Sequence, residues 1–332
     1  MNLKRLTFTL SLSAFFFLAY SCDKSEMEEQ EIPQEELKDS NIIDMLKKCS
    51  EIKTVQKWNE TELTEGITYT KIQVIKKSER PASINIVVMK ADAAGAALKT
   101  GCCEPTENNP FPMMTPSEIA NKLDKNGERV MAIMSGDFFR WDPNENGVTP
   151  LDFGCRGPVH HRGKILQDHF VPQHGMVHQA LSFLAVDKAG KVLIADADKY
   201  HGMKSNLQEC TGGGYQPLRD GKICKGFDIY LDGTYIPLED QYPFSCIGYR
   251  EDGTVIFMVV DGRTEISMGL TYAEAGSLMK SMGCTNAITM DGGGSAQMVI
   301  KDPKTDNFAL QNKPTDGAER TMRTFWMITV KE

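Results

Sequence analysis

The stretch Ile288-Thr-Met-Asp-Gly-Gly-Gly-Ser-Ala-Gln-Met-Val-Ile300 places an aspartate, three glycines and a serine between two apolar runs. A nucleotide P-loop would need a lysine before the serine and a helix after it. Here no lysine precedes Ser295, and Ala296 to Ile300 alternates as a strand does. The segment therefore reads as strand, glycine turn, strand, with bare backbone open to a ligand. Exposed N–H groups in such a turn form an anion-binding nest, with Asp291 and Ser295 at its rims. A purely structural turn is the alternative.

Working outward, apolar and alternating runs predict strands at Ile67–Ile75, Ile84–Lys90, Arg129–Ser135, Leu181–Val186, Lys191–Ala195, Phe227–Leu231, Val255–Val260 and Thr324–Val330. Two helices carry start signals. Thr115 with Pro116 and Glu118 forms a capping box ahead of a helix ending at Gly127, and Thr271 with Glu274 does the same ahead of one stopped by Gly283. On the second helix Tyr272, Ala275, Leu278, Met279 and Met282 share one face. Small residues over Ala91–Thr100, then Cys102-Cys103 and the proline-rich Asn108–Met114, predict a long loop, and Ile42–Trp58 a short helical or irregular lead-in. Many strands with few helices and no internal repeat predict an α+β class. It would be one large strand-rich domain with a mixed or antiparallel sheet and a few packed helices.

The chain has 332 residues, 41% hydrophobic and 25% charged, which is a globular balance with enough length for a substantial core. Its formal net charge of −8 argues against nucleic acid as a partner, because phosphate-backbone affinity needs a basic face. At the N-terminus Met1–Arg5 is basic and Leu6–Tyr20 is apolar, too short and serine-rich for a membrane span, so residues 1–21 read as an export signal. Ala19-Tyr20-Ser21-Cys22 resembles a bacterial lipobox, which implies lipidation at Cys22 and a protein anchored in the cell envelope, in the periplasm or at the outer-membrane surface. A cleaved signal with an incidental cysteine is the alternative. Asp23–Ser40 carries eight acidic residues against two basic ones, a solvated tether. The expected organisation is thus residues 1–21 signal, 22–54 tether and lead-in, and 55–332 the domain.

Apart from Cys22 there are eight cysteines, and Cys210 with Cys224, flanking a Gly-rich loop, is the expected short disulfide of an exported protein. Five of the six histidines, His160, His161, His169, His174 and His178, cluster without a recognised ligand spacing, so they read as loop residues or substrate hydrogen-bonders. Asp142, Asn144, Glu145 and Asn146 offer oxygen ligands to calcium, although not in a full EF-hand order; no cofactor is expected to be required.

Two further charged turns flank apolar strands. Val255–Val260 delivers Asp261, Arg263 and Glu265, and Glu319, Arg320 and Arg323 precede the last strand. Each alone is an ordinary solvated turn. Together with Asp291–Ser295 they resemble the phosphodiester glycosidase domain family. The family pattern matches Gly136, Phe138 and Phe139 upstream, then Ile247-Gly248, Asp261-Gly262, Gly269, Ala287-Ile288, Asp291–Ser295 and Arg320. The likeness spans Met131–Ile328 and is dense from Cys246 to Ile300. Ser135 stands where the family commonly has asparagine, and Phe244-Ser245-Cys246 where it often has Arg-Thr ahead of Ala-Ile-Gly.

The resemblance implies hydrolysis of a sugar-1-phosphodiester such as N-acetylglucosamine-1-phosphodiester. A phosphodiester anion leaves without strong protonation, so the site needs charge support for the phosphate and a carboxylate that activates water or attacks the anomeric carbon. Arg263, Arg320, Gly136, Asp137, Ser295 and the N–H groups of Gly292, Gly293 and Gly294 are the expected substrate contacts, and Asp291, Asp261 and Glu265 the candidate carboxylates. Loss of turnover, leaving a surface glycan-binding lipoprotein, and glycosidase action on phosphate-free linkages are the rival expectations.

Overall fold

The computed structural model describes residues 41–104, 106, 111–124, 128–139, 154–172, 175–224 and 239–331. They belong to one compact unit, Lys38–Glu332; the separate unit Met1–Leu37 lies outside them, as do the expected signal, Cys22 and most of the acidic tether. In chain order the elements are α1 (Asn41–Lys47), β1 (Ile52–Thr64), β2 (Ile67–Lys76), β3 (Pro81–Met89), β4 (Ala96–Cys102), α2 (Pro116–Leu123) and β5 (Glu128–Ser135). There follow β6 (Val159–His161), β7 (Lys164–Gln167), β8 (Ser182–Asp187), β9 (Val192–Asp196), α3 (Tyr200–Met203), β10 (Leu207–Gly213), β11 (Leu218–Arg219) and β12 (Lys222–Ile223). The last third holds β13 (Phe244–Tyr249), β14 (Val255–Val260), α4 (Tyr272–Ser281), β15 (Asn286–Thr289), β16 (Met298–Lys301), β17 (Phe308–Leu310) and β18 (Thr324–Lys331).

The fold is strand-rich with few helices, but the expected single sheet is three sheets among the described residues. The largest runs β1-β2-β3-β14-β13-β15-β11-β12, a second runs β17-β16-β5-β18-β4, and a third runs β7-β6-β10-β8-β9. All ladders between the described strands are antiparallel. The two large sheets stack. Strand β14 shows why its sequence is apolar without alternation: Ile256, Met258 and Val260 face the helical side with α4 and α1, while Val255, Phe257 and Val259 face Met134, Met298 and Trp326 of the other sheet. A strand covered on both faces needs no polar alternation. On the far side of the second sheet α2 adds Ile119, Ala120 and Leu123 to Ile133, Val299 and Phe325.

Both helix starts are as the sequence predicts. Thr115 and Thr271 cap α2 and α4 through reciprocal bonds with Glu118 and Glu274. Helix α2 ends at Leu123, and Gly127 lies outside the described residues, as does Phe227–Leu231. Glu274 also receives Lys76 Nζ at 2.8 Å, and the same ammonium donates to the Gly269 carbonyl at 2.8 Å. The capping carboxylate thus ties α4 to β2 in the buried interior.

Two expectations change. The loop predicted over Ala91–Thr100 contains the start of β4, which pairs from Val330↔Ala96 to Thr324↔Cys102 with β18. It packs closely on β18, where a Cβ at Gly101 would lie 2.9 Å from Met327 Sδ. The lead-in over Ile42–Trp58 holds α1 and half of β1, so the expected domain start at residue 55 falls inside a sheet strand. Being at the edge of its sheet, β1 keeps many exposed polar residues and so escapes a pattern search.

Candidate active site

Three strand ends converge on the glycine turn. The Met290 N–H donates to the Ser245 carbonyl at 2.9 Å, Asp291 N–H to the Gly136 carbonyl at 2.9 Å, and Gly293 N–H to the Pro243 carbonyl at 3.0 Å. Gly136 must be glycine because β5 presses onto β18 there: a Cβ would lie 2.7 Å from the Thr324 carbonyl carbon and oxygen. Gly293 takes a φ of +57°, a left-handed turn that lets the chain double back into β16. Ser135 lies under this turn. Its hydroxyl donates to the Ser295 carbonyl and accepts the Gln297 N–H at 3.2 Å, so it pins the floor from below.

Asp291, Gly292 and Gly293 line a cavity of about 400 Å³, which Phe138, Tyr242, Pro243, Phe244, Tyr272 and Met290 wall with apolar surface. Phe244 and Tyr215 both meet Tyr272 edge-on, with centroids 5.3 and 5.1 Å apart. Polar lining comes from His178, Gln179, Ser245, Thr289 and Arg263. Ser245 Oγ and His178 Nδ1 are buried with no hydrogen-bond partner among the described residues. An aromatic wall with a few polar groups aimed inward suits a sugar-sized ligand.

Asp291 keeps partial access at the cavity, yet the surrounding protein pushes its carboxyl up to about 7, chiefly by desolvation. The Ser295 hydroxyl, the Arg320 charge, the Gly292 N–H and the Arg156 charge pull in the other direction. A carboxyl that titrates near neutrality can both accept and return a proton. Arg320 sits behind the turn: Nε donates to Asp316 at 2.6 Å and Nη1 to Ser295 Oγ at 3.1 Å. Its backbone N–H and carbonyl are both held by the Gln297 amide, at 2.9 and 2.8 Å. Arg320 therefore braces Asp291 through Ser295, while exposed Arg263 reaches the cavity rim over Gly293.

The expected nest of N–H groups is largely used up inside the protein. Gly293 N–H is bonded to Pro243, Gly292 N–H to the Asp291 carboxylate, and Ser295 N–H to the Gly292 carbonyl at 3.0 Å. The other two expected carboxylates do not line the cavity. Asp261 is 4% exposed and accepts Lys313 N–H at 2.8 Å and Asn312 Nδ2 at 3.1 Å, bracing the segment after β17, and burial raises its carboxyl. Glu265 is exposed on the hairpin closed by Thr264 and Ser267. Asp137, an expected substrate contact, is wholly buried behind the floor; Gly157 N–H donates to its Oδ2 at 2.7 Å.

The histidines separate. His160 is buried against Tyr200 Oη at 2.7 Å, His161 Nδ1 meets the Thr100 carbonyl at 3.0 Å, His169 is exposed beside Asp168, and His178 alone of the described members of that cluster lines the cavity. His174 and the calcium-like loop at 142–146 lie outside the described residues, within which no cluster of three or more metal-ligating groups occurs. The expected Cys210–Cys224 bridge is absent, and all eight described cysteines are free thiols. Cys210 packs among Phe183, Tyr200 and Leu207 on β10, whereas Cys224 follows β12 of the largest sheet. Sequence reading missed Arg156, 3% exposed and close enough to act on Asp137, Asp291 and His178. Nothing near Arg156 in sequence marks it.

Comparison with known proteins fits this geometry. The family model described as phosphodiester glycosidase matches residues 128–329, more than half of the sequence, including both sides of the glycine turn. The chain belongs to the phosphodiester glycosidase family. The fold resembles the catalytic domain of zebrafish N-acetylglucosamine-1-phosphodiester alpha-N-acetylglucosaminidase, auto-inhibited by its pro-peptide, at a TM-score of 0.55 and 16% identity over 86% of each chain. It also resembles a hypothetical protein from Synechocystis (TM-score 0.53, 13% identity, 83% of this chain and 64% of that one). A protein from Burkholderia pseudomallei K96243 described as exported gives a TM-score of 0.53 at 12% identity, over 84% of this chain and 97% of that one. These solved structures speak to the fold. In sequence, 89 residues are 38% identical to the SPbeta prophage-derived uncharacterized protein YomE of Bacillus subtilis strain 168; they are 27% of this chain and 13% of that protein.

Proposed function

We propose that this phosphodiester glycosidase family member hydrolyses a sugar-1-phosphodiester, such as N-acetylglucosamine-1-phosphodiester, outside the cytoplasm, held at the cell envelope through Cys22. The observation that carries the reading is Asp291, the one expected carboxylate that lines the aromatic cavity, with its carboxyl raised to about 7 and Arg263 at the same rim. The sugar would lie against Phe138, Phe244 and Tyr272. Its phosphate would face Arg263, which stabilises the leaving anion. Asp291, ionised, would remove a proton from the attacking water or attack the anomeric carbon itself. Arg320 would keep Asp291 oriented through Ser295. Export and anchoring rest on the N-terminal signal and the lipobox-like Ala19–Cys22 alone.

The test is release of free sugar from N-acetylglucosamine-1-phosphodiesters, compared with the matching phosphate-free glycoside. Asp291→Asn lowers the rate at least ~10²-fold, the scale of a lost catalytic base, and Arg263→Ala raises KM for the phosphodiester alone. Wild-type kinetics in both variants would overturn these roles. Phe244, inside the cavity where the family pattern often carries arginine, favours a second reading: a glycan- or glycophosphate-binding lipoprotein without turnover. Saturable calorimetric binding with no product would support it.

A further inference from the structure

Behind the cavity floor a second carboxylate lies one backbone hydrogen bond from the first. Gly136 gives its carbonyl to the Asp291 N–H at 2.9 Å, and the next residue is Asp137, wholly buried. Three elements enclose Asp137. The loop before β6 supplies Gly157 N–H to Oδ2 at 2.7 Å, and β18 accepts the Asp137 N–H on Thr324 Oγ1 at 3.0 Å. Strand β10 passes so close that a Cβ at Gly212 would lie 2.6 Å from Asp137 Oδ2. Oδ1 is buried with no hydrogen-bond partner among the described residues. Among the described residues Arg156 acts on both carboxylates, is 3% exposed and is anchored by its N–H to the Phe138 carbonyl at 2.8 Å, while Arg320 acts on Asp291 as well. Asp291 is thus served by two guanidiniums and wholly buried Asp137 by one that it shares, so a second anion at Asp137 would be desolvated and face a like charge.

We propose that Asp137 is a positioning residue that stays protonated behind the floor, so that the Arg156 charge serves Asp291. The groups facing this pair are Arg156, the Cys155 thiol and the Gly157 N–H from one loop, the Phe138 N–H, Cys210 from β10, and Arg320, Ser295 and the Gly292 N–H from the turn side; His178 faces Arg156 from the cavity wall. The two carboxyls then titrate as one unit in two steps. In the wild type the first step ionises the site while the second proton stays on Asp137. The inference rests on Asp291 as the working carboxylate, but its test needs no turnover.

Carbon-13 NMR of the full chain labelled at aspartate carboxyls reads both groups directly. Asp291→Asn and Asp137→Asn assign the two signals. Asp137 holds its proton well above the ordinary carboxylate range in the wild type, and its midpoint falls by about one pH unit or more in Asp291→Asn, where the like charge is gone. In Arg156→Gln the Asp291 midpoint rises by a similar amount, and Arg156→Lys restores most of it. An Asp137 signal titrating in the ordinary carboxylate range, or one unmoved by Asp291→Asn, would overturn the proposal. The wild type and Asp291→Asn decide it even if Arg156→Gln fails to fold. A chain with no hydrolytic activity that still shows the coupled titration would refute the enzymatic reading and leave this one standing.

Discussion

Replacing Asp291 with asparagine should stabilise the protein at neutral pH while it removes activity. The folded carboxyl sits at about 7 against an ordinary value of 3.8. Because the folded state holds this proton more tightly than the unfolded chain, its contribution favours folding below about pH 4. That advantage is lost as the pH rises towards 7. Three pH units correspond to roughly 4 kcal/mol, an upper figure because the group keeps partial solvent access and its surroundings can relax. Asparagine fits the same space and titrates nowhere in the range. Urea unfolding of both proteins at pH 4.5 and pH 8 is the assay. The variant should gain on the wild type by one to several kcal/mol, on the order of the scale above, between the two conditions, with little difference at the acid end. Parallel pH profiles would show that Asp291 ionises without strain, and the case for a carboxyl poised near neutrality would fall with them.

The buried Lys76–Glu274 pair makes a second prediction. Glu274→Ala strands a wholly buried ammonium and removes the carboxylate half of the α4 capping box, at a cost of about 3–5 kcal/mol in urea unfolding, whereas the double change Lys76→Met with Glu274→Gln should recover most of it. Gly136→Ala drives a methyl into the Thr324 backbone, so it should displace β5 from β18 and lower both Tm and sugar release; an unchanged Tm would mean that the strands part without cost.

What the sequence revealed follows from how local each signal is. Strands β3, β5, β14 and β18 are covered on both faces, so their apolar runs stand out, and the two capping boxes mark α2 and α4 within four residues each. Strand β1 hides at an edge, and β4 hides because its small residues give no apolar run, although it pairs with β18 along its whole length. At the site, Asp261 and Asp291 look alike on the page, each following an apolar strand and preceding glycine. What separates them is remote: Lys313 and Asn312 close over Asp261, while Pro243 and Gly136 hold the backbone around Asp291 so that its carboxyl meets the cavity. Arg156 has no local signature because the carboxylates it serves lie on other elements.

The pairing of β18 with β5 has a consequence for when the site comes into being. Residues 324–331 form the strand that lies between β4 and β5, and Thr324 in it holds Gly136 and Asp137 through its carbonyl and hydroxyl. A nascent chain that has made Asp291 but not yet released β18 has a glycine turn with no wall behind it. The pocket can close only when that strand slots into the middle of its sheet, so the site is finished by a segment that follows Asp291 in the chain.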